Sequence, residues 1–139
     1  MPPDSPSVAV LDEQDCLSLL RHGEVGRLAT AVAGQPDIFP INYVLDGHSV
    51  VFCTAEGTKL AATFANTLVA FECDGYDSEA GDAWSVVIKG HAREISMHDL
   101  LESTFALYSW SDWPKPRFLR LVPDQISGRR FRLVRRRPG

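Results

Sequence analysis

The chain lacks the features that would place it in a membrane or in a disulfide-stabilised class. Among its 139 residues no apolar run approaches the ~20 residues that a membrane-spanning helix requires. The first residues have neither a basic start nor an apolar core, so no signal peptide is predicted and a cytoplasmic location is expected. The three cysteines, Cys16, Cys53 and Cys73, are odd in number and form no Cys-x-x-Cys pair. Each is therefore interpreted as a small buried hydrophobe.

Basic residues are scarce through most of the chain and are concentrated at its end. Residues 1–114 hold 17 acidic and 5 basic residues, whereas residues 115–139 hold one acidic and nine basic residues. Six of these are arginines between Arg129 and Arg137. Such a block can bind nucleic acid or another polyanion, but no nucleic-acid motif or row of stacking aromatics accompanies it. A solvated terminal strand and tail is the favoured interpretation, and nucleic acid is not expected as a partner.

Metal-binding and nucleophilic constellations are missing as well. No Cys, Asp or second His lies at metal-ligand spacing from any of the four histidines, which are His22, His48, His91 and His98. No Ser-His-Asp or Cys-His arrangement is indicated by spacing. The sequence therefore predicts no metal site and identifies no catalytic acid, base or nucleophile.

What is present is the composition of one globular domain. Hydrophobic residues make up 45% of the chain and charged residues 23%, near the average for folded domains, and the length fits one domain. We expect a flexible N-terminal arm over residues 1–10, a single domain over residues 11–134 and a basic C-terminal tail over residues 135–139.

Strand patterns dominate the domain. Asp12 is expected to cap a short helix that ends at Gly23, and Gly90 within a long strand indicates a bulge. The predicted strands are 25–32, 37–45, 50–54, 68–73, 84–95, 118–126 and 131–134. The predicted helices and loops are a helix over 58–66, a loop over 74–82, a helix over 97–109 and a tryptophan-bearing loop over 110–116. These elements predict a mainly β (α+β) fold, a six- to seven-stranded antiparallel barrel with short helices.

The joint between the strand at Phe52 and the following helix has the chemistry of an anion site. Free backbone N–H groups and the positive end of a helix dipole meet there, and Lys59 adds a full charge. Thr54 and Thr58 add hydroxyl donors, and Leu60 begins the apolar face of the helix. The spacing is not that of a Walker A loop. A phosphate monoester would suit this geometry. Most joints of this kind bind nothing, however, so the segment taken alone favours a solvent-facing Lys59 and leaves the phosphate site open as the alternative.

Two further segments carry residues suited to a planar ligand. Pro40 lacks the N–H of a ladder donor and marks an edge or bulge. Asn42 is a poor strand former, and its amide either pairs with a heterocycle or satisfies a local backbone group. Trp84, at the start of a strand, either packs against a planar ligand or closes the end of the barrel. The residues alone favour neither interpretation.

Taken in order, these segments resemble the pyridoxamine 5′-phosphate oxidase-like family of flavin-binding split barrels. Five short strings carry the likeness, which covers roughly residues 11–134: 26–30, 40–43, 52–60, 69–72 and 84–92. The resemblance implies a split barrel of the FMN-binding type and a homodimer with two FMN sites at the subunit interface.

The resemblance also implies which residues hold the cofactor. The strand along the isoalloxazine ring matches Ile38, Phe39, Pro40, Ile41 and Asn42. The strand end and loop that take the phosphate match Phe52, Thr54, Thr58, Lys59 and Leu60. The strand start that touches the flavin, often from the partner subunit, matches Trp84, Ser85 and Val86.

The chain departs from the true oxidases in two places. They carry an arginine where this chain has Ile38, and their basic substrate-gripping end has no match in residues 131–139. The closer likeness is to the small branch that includes nitroimidazole-resistance-type proteins. The resemblance implies an FMN-dependent oxidoreductase acting on an unknown small molecule. Alternatives are a deazaflavin, FAD or haem as the cofactor, a binding module without turnover, and an interaction protein whose arginine-rich end docks on a polyanion.

We expect Lys59→Ala to weaken FMN binding about tenfold to a hundredfold, because it removes a charge-assisted phosphate contact worth roughly 1.5–3 kcal/mol. Riboflavin has no phosphate, so its affinity should change by less than about twofold. Fluorescence titration of both ligands into the wild type and the variant measures the difference. Equal losses for the two ligands would contradict the assignment of Lys59 to the phosphate.

Overall fold

A computed structural model describes residues 8–55, 67–96, 98–99 and 116–134. Within these residues a single helix of more than one turn accompanies seven strands. Their bounds are β1 (Ala9–Leu11), α1 (Glu13–Arg21), β2 (Val25–Val32), β3 (Gln35–Asp46), β4 (Ser49–Ala55), β5 (Thr67–Asp77), β6 (Asp82–Ile95) and β7 (Pro116–Arg132). In the described part of the chain, no helix is long and apolar enough to cross a membrane.

The strands form one antiparallel sheet that closes on itself. Their order is β1-β7-β4-β3-β2-β5-β6, and β6 pairs with β7 again to complete the ring. The pairing of β7 is divided, because its first half lies beside β4 and its last residues lie beside β1, while β6 runs along almost its whole length. The predicted mainly β, antiparallel split-barrel fold is confirmed.

Side-chain alternation along the strands builds the core. Inward-facing Leu28, Phe71, Ile88 and Leu119 come from four different strands and are fully buried together. β4 is buried on both faces, because Val50 and Phe52 join this core while the alternate residues join a second cluster. That second cluster consists of Val51, Cys53, Ile95 and Phe118, with Val44 packed against it.

Helix α1 is fixed to the barrel by its cap and by one buried tyrosine. The Asp12 side chain accepts a hydrogen bond from the Asp15 N–H at 2.8 Å, which confirms the predicted N-cap. The Tyr43 hydroxyl donates to the Leu20 carbonyl at 2.7 Å and lies 3.3 Å from the Cys73 sulfur. Burial raises the pKa of Tyr43, so the phenol stays protonated and able to donate.

The end of the chain differs from the prediction of two strands separated by Ser127 and Gly128. β7 continues through both residues as one strand. Gly128 is required by a close approach and not by a turn, since a Cβ at this position would lie 2.5 Å from the Cys16 sulfur of α1. The glycine lets the helix rest on the sheet.

Other boundaries shift as well. The predicted loop over 74–82 is mostly sheet, because β5 runs to Asp77 and β6 begins at Asp82, which leaves a short hairpin turn. Ala9 and Val10, expected in the flexible arm, belong to β1. Three predicted elements fall wholly or largely outside the described residues: the helix over 58–66, the helix over 97–109 and the loop over 110–116.

The predicted bulge at Gly90 is confirmed. The register of β6 against β7 shifts between Lys89 and Gly90. At this point the two backbones approach so closely that a Cβ on Gly90 would lie 2.0 Å from the Val122 carbonyl oxygen. A bulge of this kind bends the strand that carries it, which favours closure of the barrel by the long β6–β7 pair.

We expect Gly90→Ala to lower the free energy of unfolding by about 3 kcal/mol, because the methyl group must displace backbone and not a flexible side chain. Gly34→Ala is the matched control: its φ of +77° is strained for alanine, but nothing lies within 4 Å of the added methyl. The control should lose about 1 kcal/mol from backbone strain alone. Urea denaturation measures both, and equal losses would show that the close approach at Gly90 is relieved by a shift of the strands.

Candidate functional site

Several of the predicted site residues lie on one outer face of the barrel. Ile38, Pro40 and Asn42 alternate outward along β3 and are exposed. Ser85 points outward from β6 and is half-buried. The strand order across this face is β3-β2-β5-β6-β7. The structure therefore brings these four residues to the same surface.

The remaining described site residues face the interior. Ile41, Phe52 and Val86 belong to the main core cluster, and Phe39 packs against it. Trp84 also packs on that cluster, with its ring beside Gly75, where a Cβ would lie 2.8 Å from the indole nitrogen. Ile41, Phe52, Val86 and Phe39 support the site from behind, whereas Trp84 also lines the groove described below.

Within one chain the two outward groups do not meet. β2 and β5 separate β3 from β6, and three strand spacings of about 4.8 Å place Pro40 about 14 Å from Val87, its counterpart in the same row. Ser85 lies two residues further along β6, about 16 Å from Pro40. Between them, Arg27 lies directly opposite Pro40 on one side and Glu72 on the other. A ligand that contacts both groups must either span this distance or lie between two copies of the chain.

Thr54, at the end of β4, is the described part of the predicted phosphate site. The residue is 4% exposed, and its hydroxyl oxygen is buried without a hydrogen-bond partner among the residues that the structure describes. Buried hydroxyl groups normally have a partner, and leaving one without costs stability. Thr58, Lys59 and Leu60 lie outside the described residues.

The centre of the outer face carries an ion cluster that the sequence analysis missed. The Arg27 guanidinium contacts Glu72 at 2.5 Å and Asp74 at 3.0 Å. The hydrogen bond to Glu72 raises the pKa of Arg27. Desolvation, together with the neighbouring Asp74, raises the pKa of Glu72 although Arg27 opposes the shift. Two acidic residues at alternate positions of one strand were the available signal, but their partner lies 45 residues away.

A groove of about 530 Å³ crosses this face over β5, β6 and β7. Its floor is made by three small or medium outward residues of β6, namely Ala83, Ser85 and Val87. Trp84 and Gly75 also line it, and its walls are formed by residues of β5, of β7 and of the position just after β7: Glu72, Asp74, Tyr76, Arg129, Phe131 and Leu133. The groove exists because the middle strand carries small side chains between two strands with large ones.

Two smaller cavities adjoin the groove. One of about 200 Å³ lies between Ile38 and the Arg27–Glu72 pair. The other, of about 350 Å³, is bordered by Val8 and Val10 of the N-terminal segment. Arg129 lines both this cavity and the main groove. The groove shares Glu72 with the first cavity and Ser85, Val87 and Arg129 with the second, so the three spaces are neighbours on the outer face.

The terminal arginines are divided between the two faces of β7. Arg129 and Phe131 line the groove, whereas Arg130 and Arg132 are exposed and do not. This alternation follows from the two-residue period of side chains along a strand. The side chains of these three arginines have no hydrogen bond or ion pair with another residue in the described part of the chain. Residues 135–139 of the predicted basic tail are outside it.

The described cysteines have the properties of structural residues. Cys16, Cys53 and Cys73 are buried and free, as predicted. Burial raises the pKa of Cys53 to about 11 and also raises the pKa of the other two thiols, so none is a thiolate nucleophile at neutral pH. Among the described residues no group of three or more His, Cys, Asp and Glu side chains could hold a metal ion.

Comparison with known proteins gives a consistent result. The family model for "Pyridoxamine 5′-phosphate oxidase" matches residues 12–130. An FAD binding protein from Mycobacterium smegmatis is 40% identical with a TM-score of 0.78, over 89% of this chain and 100% of that one.

Two further structures extend the comparison. An FAD-binding protein from Mesorhizobium loti is 26% identical with a TM-score of 0.76, over 91% and 98% of the two chains. A protein from Bacteroides thetaiotaomicron named for 5-nitroimidazole antibiotic resistance is 14% identical with a TM-score of 0.66, over 92% and 90%, a likeness of fold alone.

We expect Arg27→Ala to lower stability more at about pH 8 than at about pH 5. Glu72 has a raised pKa in the folded protein, so folding favours its protonated form and stability falls as the pH rises through this range. Arg27 opposes that shift, and its removal enlarges the loss. Because the three side chains are partly exposed, the difference should be about 1 kcal/mol. Denaturation midpoints at the two pH values measure it; an equal loss at both would show that Arg27 contributes by packing alone.

Proposed function

We infer a flavin-binding function from the premise that this chain belongs to the pyridoxamine 5′-phosphate oxidase family, whose model matches residues 12–130. Two structurally similar proteins are named as FAD-binding. One of them is 40% identical to this chain, over 89% of this chain and the whole of that protein. The outer face also has the form that a flavin needs, since it offers apolar and polar groups beside open cavities.

The unpartnered hydroxyl of Thr54 is the observation that supports a particular position for the flavin phosphate. It lies next to the segment in which Thr58 and Lys59 were predicted to bind phosphate. A phosphate oxygen would accept its hydrogen bond. The flavin ring then lies along β3 at Ile38 and Asn42, which are exposed. Ser85 of a second copy of the chain completes the site, because Ser85 of the same chain is too far away.

The choice between FMN and FAD depends on the similar proteins more than on the predicted phosphate-binding segment. The phosphate-binding segment fits FMN, the first expectation, and fits FAD equally, because both carry a phosphate on the ribityl chain. The names of the similar proteins favour FAD. We therefore propose FAD as the preferred ligand and FMN as the second candidate.

The proposed activity is that of an oxidoreductase acting on a small molecule. The flavin would supply the electron or hydride chemistry, and the chain would bind it, orient it and shield it from water. Among the described residues no acid or base is placed for an obvious proton transfer, except Glu72 with its raised pKa. We also propose that the protein is a homodimer, since exposed apolar side chains such as Ile38 and Leu68 lie on the outer face. The cytoplasm is its proposed location.

The absorption spectrum of freshly purified protein tests the function directly. We expect flavin bands, release of FAD on denaturation, and elution at about twice the 15.4 kDa mass of one chain. Oxidation of reduced flavin by candidate substrates then separates an enzyme from a storage or sensing module. A haem or deazaflavin spectrum, or a colourless protein that binds no added flavin, would refute the proposal.

We expect Thr54→Val to weaken FMN and FAD binding about fivefold to tenfold while leaving the ligand-free protein as stable as the wild type or about 1 kcal/mol more stable. The substitution removes a buried hydroxyl that has no described partner and keeps the side-chain shape. Thr30→Val, at another buried threonine of the barrel, is the matched control and should leave affinity unchanged. Loss of stability without loss of affinity would assign the Thr54 hydroxyl to the fold.

A further inference from the structure

The residues that line the groove over β5, β6 and β7 form rows across the three strands, as the strand register shows. One row across the strands is Tyr76–Ala83–Phe131, in which a small residue stands between two aromatic ones. The next row is Asp74–Ser85–Arg129, in which a short hydroxyl stands between an acceptor and a cation. The two rows are adjacent on the same face, because outward residues alternate along each strand.

The first row forms a slot for a flat ring. Tyr76 is 73% exposed and stands as a wall, while Ala83 is 5% exposed and forms the floor. Phe131 is the opposite wall, two strand spacings or about 10 Å from Tyr76 at the backbone. Aromatic side chains on which a heterocyclic base can stack are the common means of binding nucleobases without reading their sequence.

The second row supplies opposite charges at its two ends. Arg129 is exposed and its side chain has no hydrogen bond or ion pair with any other residue in the described ranges, so its guanidinium is available for a phosphate. At the other end, Asp74 and Glu72 offer carboxylate oxygens that accept hydrogen bonds, and Arg27 compensates part of their charge. The groove therefore offers a cation, Arg129, for a phosphate. It offers two aromatic side chains for a flat ring and the carboxylates of Asp74 and Glu72 for an amino group.

From this juxtaposition we propose that the groove binds the adenylate half of FAD. Adenine is a flat base whose N6 amino group donates hydrogen bonds, and adenylate joins it through ribose to a phosphate. The base stacks in the Tyr76–Ala83–Phe131 slot and its amino group donates to the acidic end. The groove is that of the second copy, which also contributes Ser85 to the flavin site, because Thr54 pairs with Arg117 and lies far along β7 from Arg129 of the same chain. The pyrophosphate then lies between Thr54 of one copy and Arg129 of the other. The volume of about 530 Å³ is in the range of small-molecule sites. The inference rests on the proposed flavin function and explains a choice of FAD over FMN.

The test compares ligands that share or lack the adenylate half. FAD, FMN and ADP are titrated by fluorescence and calorimetry into the wild type and into Arg129→Ala and Tyr76→Ala, whose side chains are exposed and can be removed without disturbing the core. Arg130→Ala is the matched control, because Arg130 is the next residue of the same strand, carries the same charge and faces away from the groove.

We expect the wild type to bind FAD at least about tenfold more tightly than FMN, and ADP alone to compete with FAD but not with FMN. Arg129→Ala should weaken FAD binding about tenfold to a hundredfold and Tyr76→Ala about fivefold or more. Neither variant should change FMN affinity by more than about twofold, and Arg130→Ala should change neither ligand.

The opposite outcomes show which of the two proposals is wrong. Equal losses of FAD and FMN would mean that the groove holds the flavin ring, and no loss of either would mean that it holds nothing of the cofactor; both overturn the adenylate assignment and leave flavin binding intact. Binding of FMN with no gain for FAD overturns it too. A protein that binds no flavin but binds ADP through Arg129 would refute the flavin function alone, and one that binds neither would refute both.

Discussion

The pairing of β6 with β7 is the constraint on which the rest of the structure depends. It runs from Asp82 opposite Arg132 to Ile95 opposite Phe118 and turns at the Gly90 bulge. Without this pairing the sheet would be open at β6, and the core made by the inward residues of β2, β5 and β7 would face water. Closure requires two backbones to approach more closely at one point than any side chain permits, which explains why glycine occupies position 90.

The same pairing places the candidate site. Because β7 is held against β6 along its length, Arg129 and Phe131 come to stand beside Ser85 and Ala83. The outer face then carries two separate regions, the exposed part of β3 and the groove at β6, with Arg27 and its carboxylate partners between them. A single chain therefore presents two partial surfaces, and this is the physical ground for a shared site in a dimer.

Much of the fold follows from local signals in the sequence. Asp12 marks the start of α1 by its capping chemistry, and apolar alternation marks β2 through β6. The failures are instructive, because they need tertiary information. Ser127 and Gly128 have the composition of a turn, but Gly128 is a glycine because α1 brings Cys16 against it. The polar residues from Asp74 to Asp77 have the composition of a loop, but they extend a hairpin whose outer side is solvated.

The candidate site was predictable to a different degree. The residue types at the phosphate loop carry their chemistry locally, so Thr54 could be selected without a structure, and its unpartnered hydroxyl is consistent with that selection. The ion pair between Arg27 and Glu72 could not be predicted from the sequence, because only the register of β2 against β5 brings together residues that are 45 positions apart. The groove could not be predicted from the sequence either, since it depends on the small residues of one strand lying between the large residues of two others.

The alternation along β6 separates what the chain needs for folding from what it offers to a ligand. Val86 and Ile88 are fully buried and hold the core, whereas Ala83, Ser85 and Val87 line the groove one residue away. Substitutions at the second set alter the depth and polarity of the groove with little consequence for the first. Members of a lineage that share this barrel can thus diverge in ligand preference by changing a few positions on one strand, and directed evolution of binding in this scaffold would begin there.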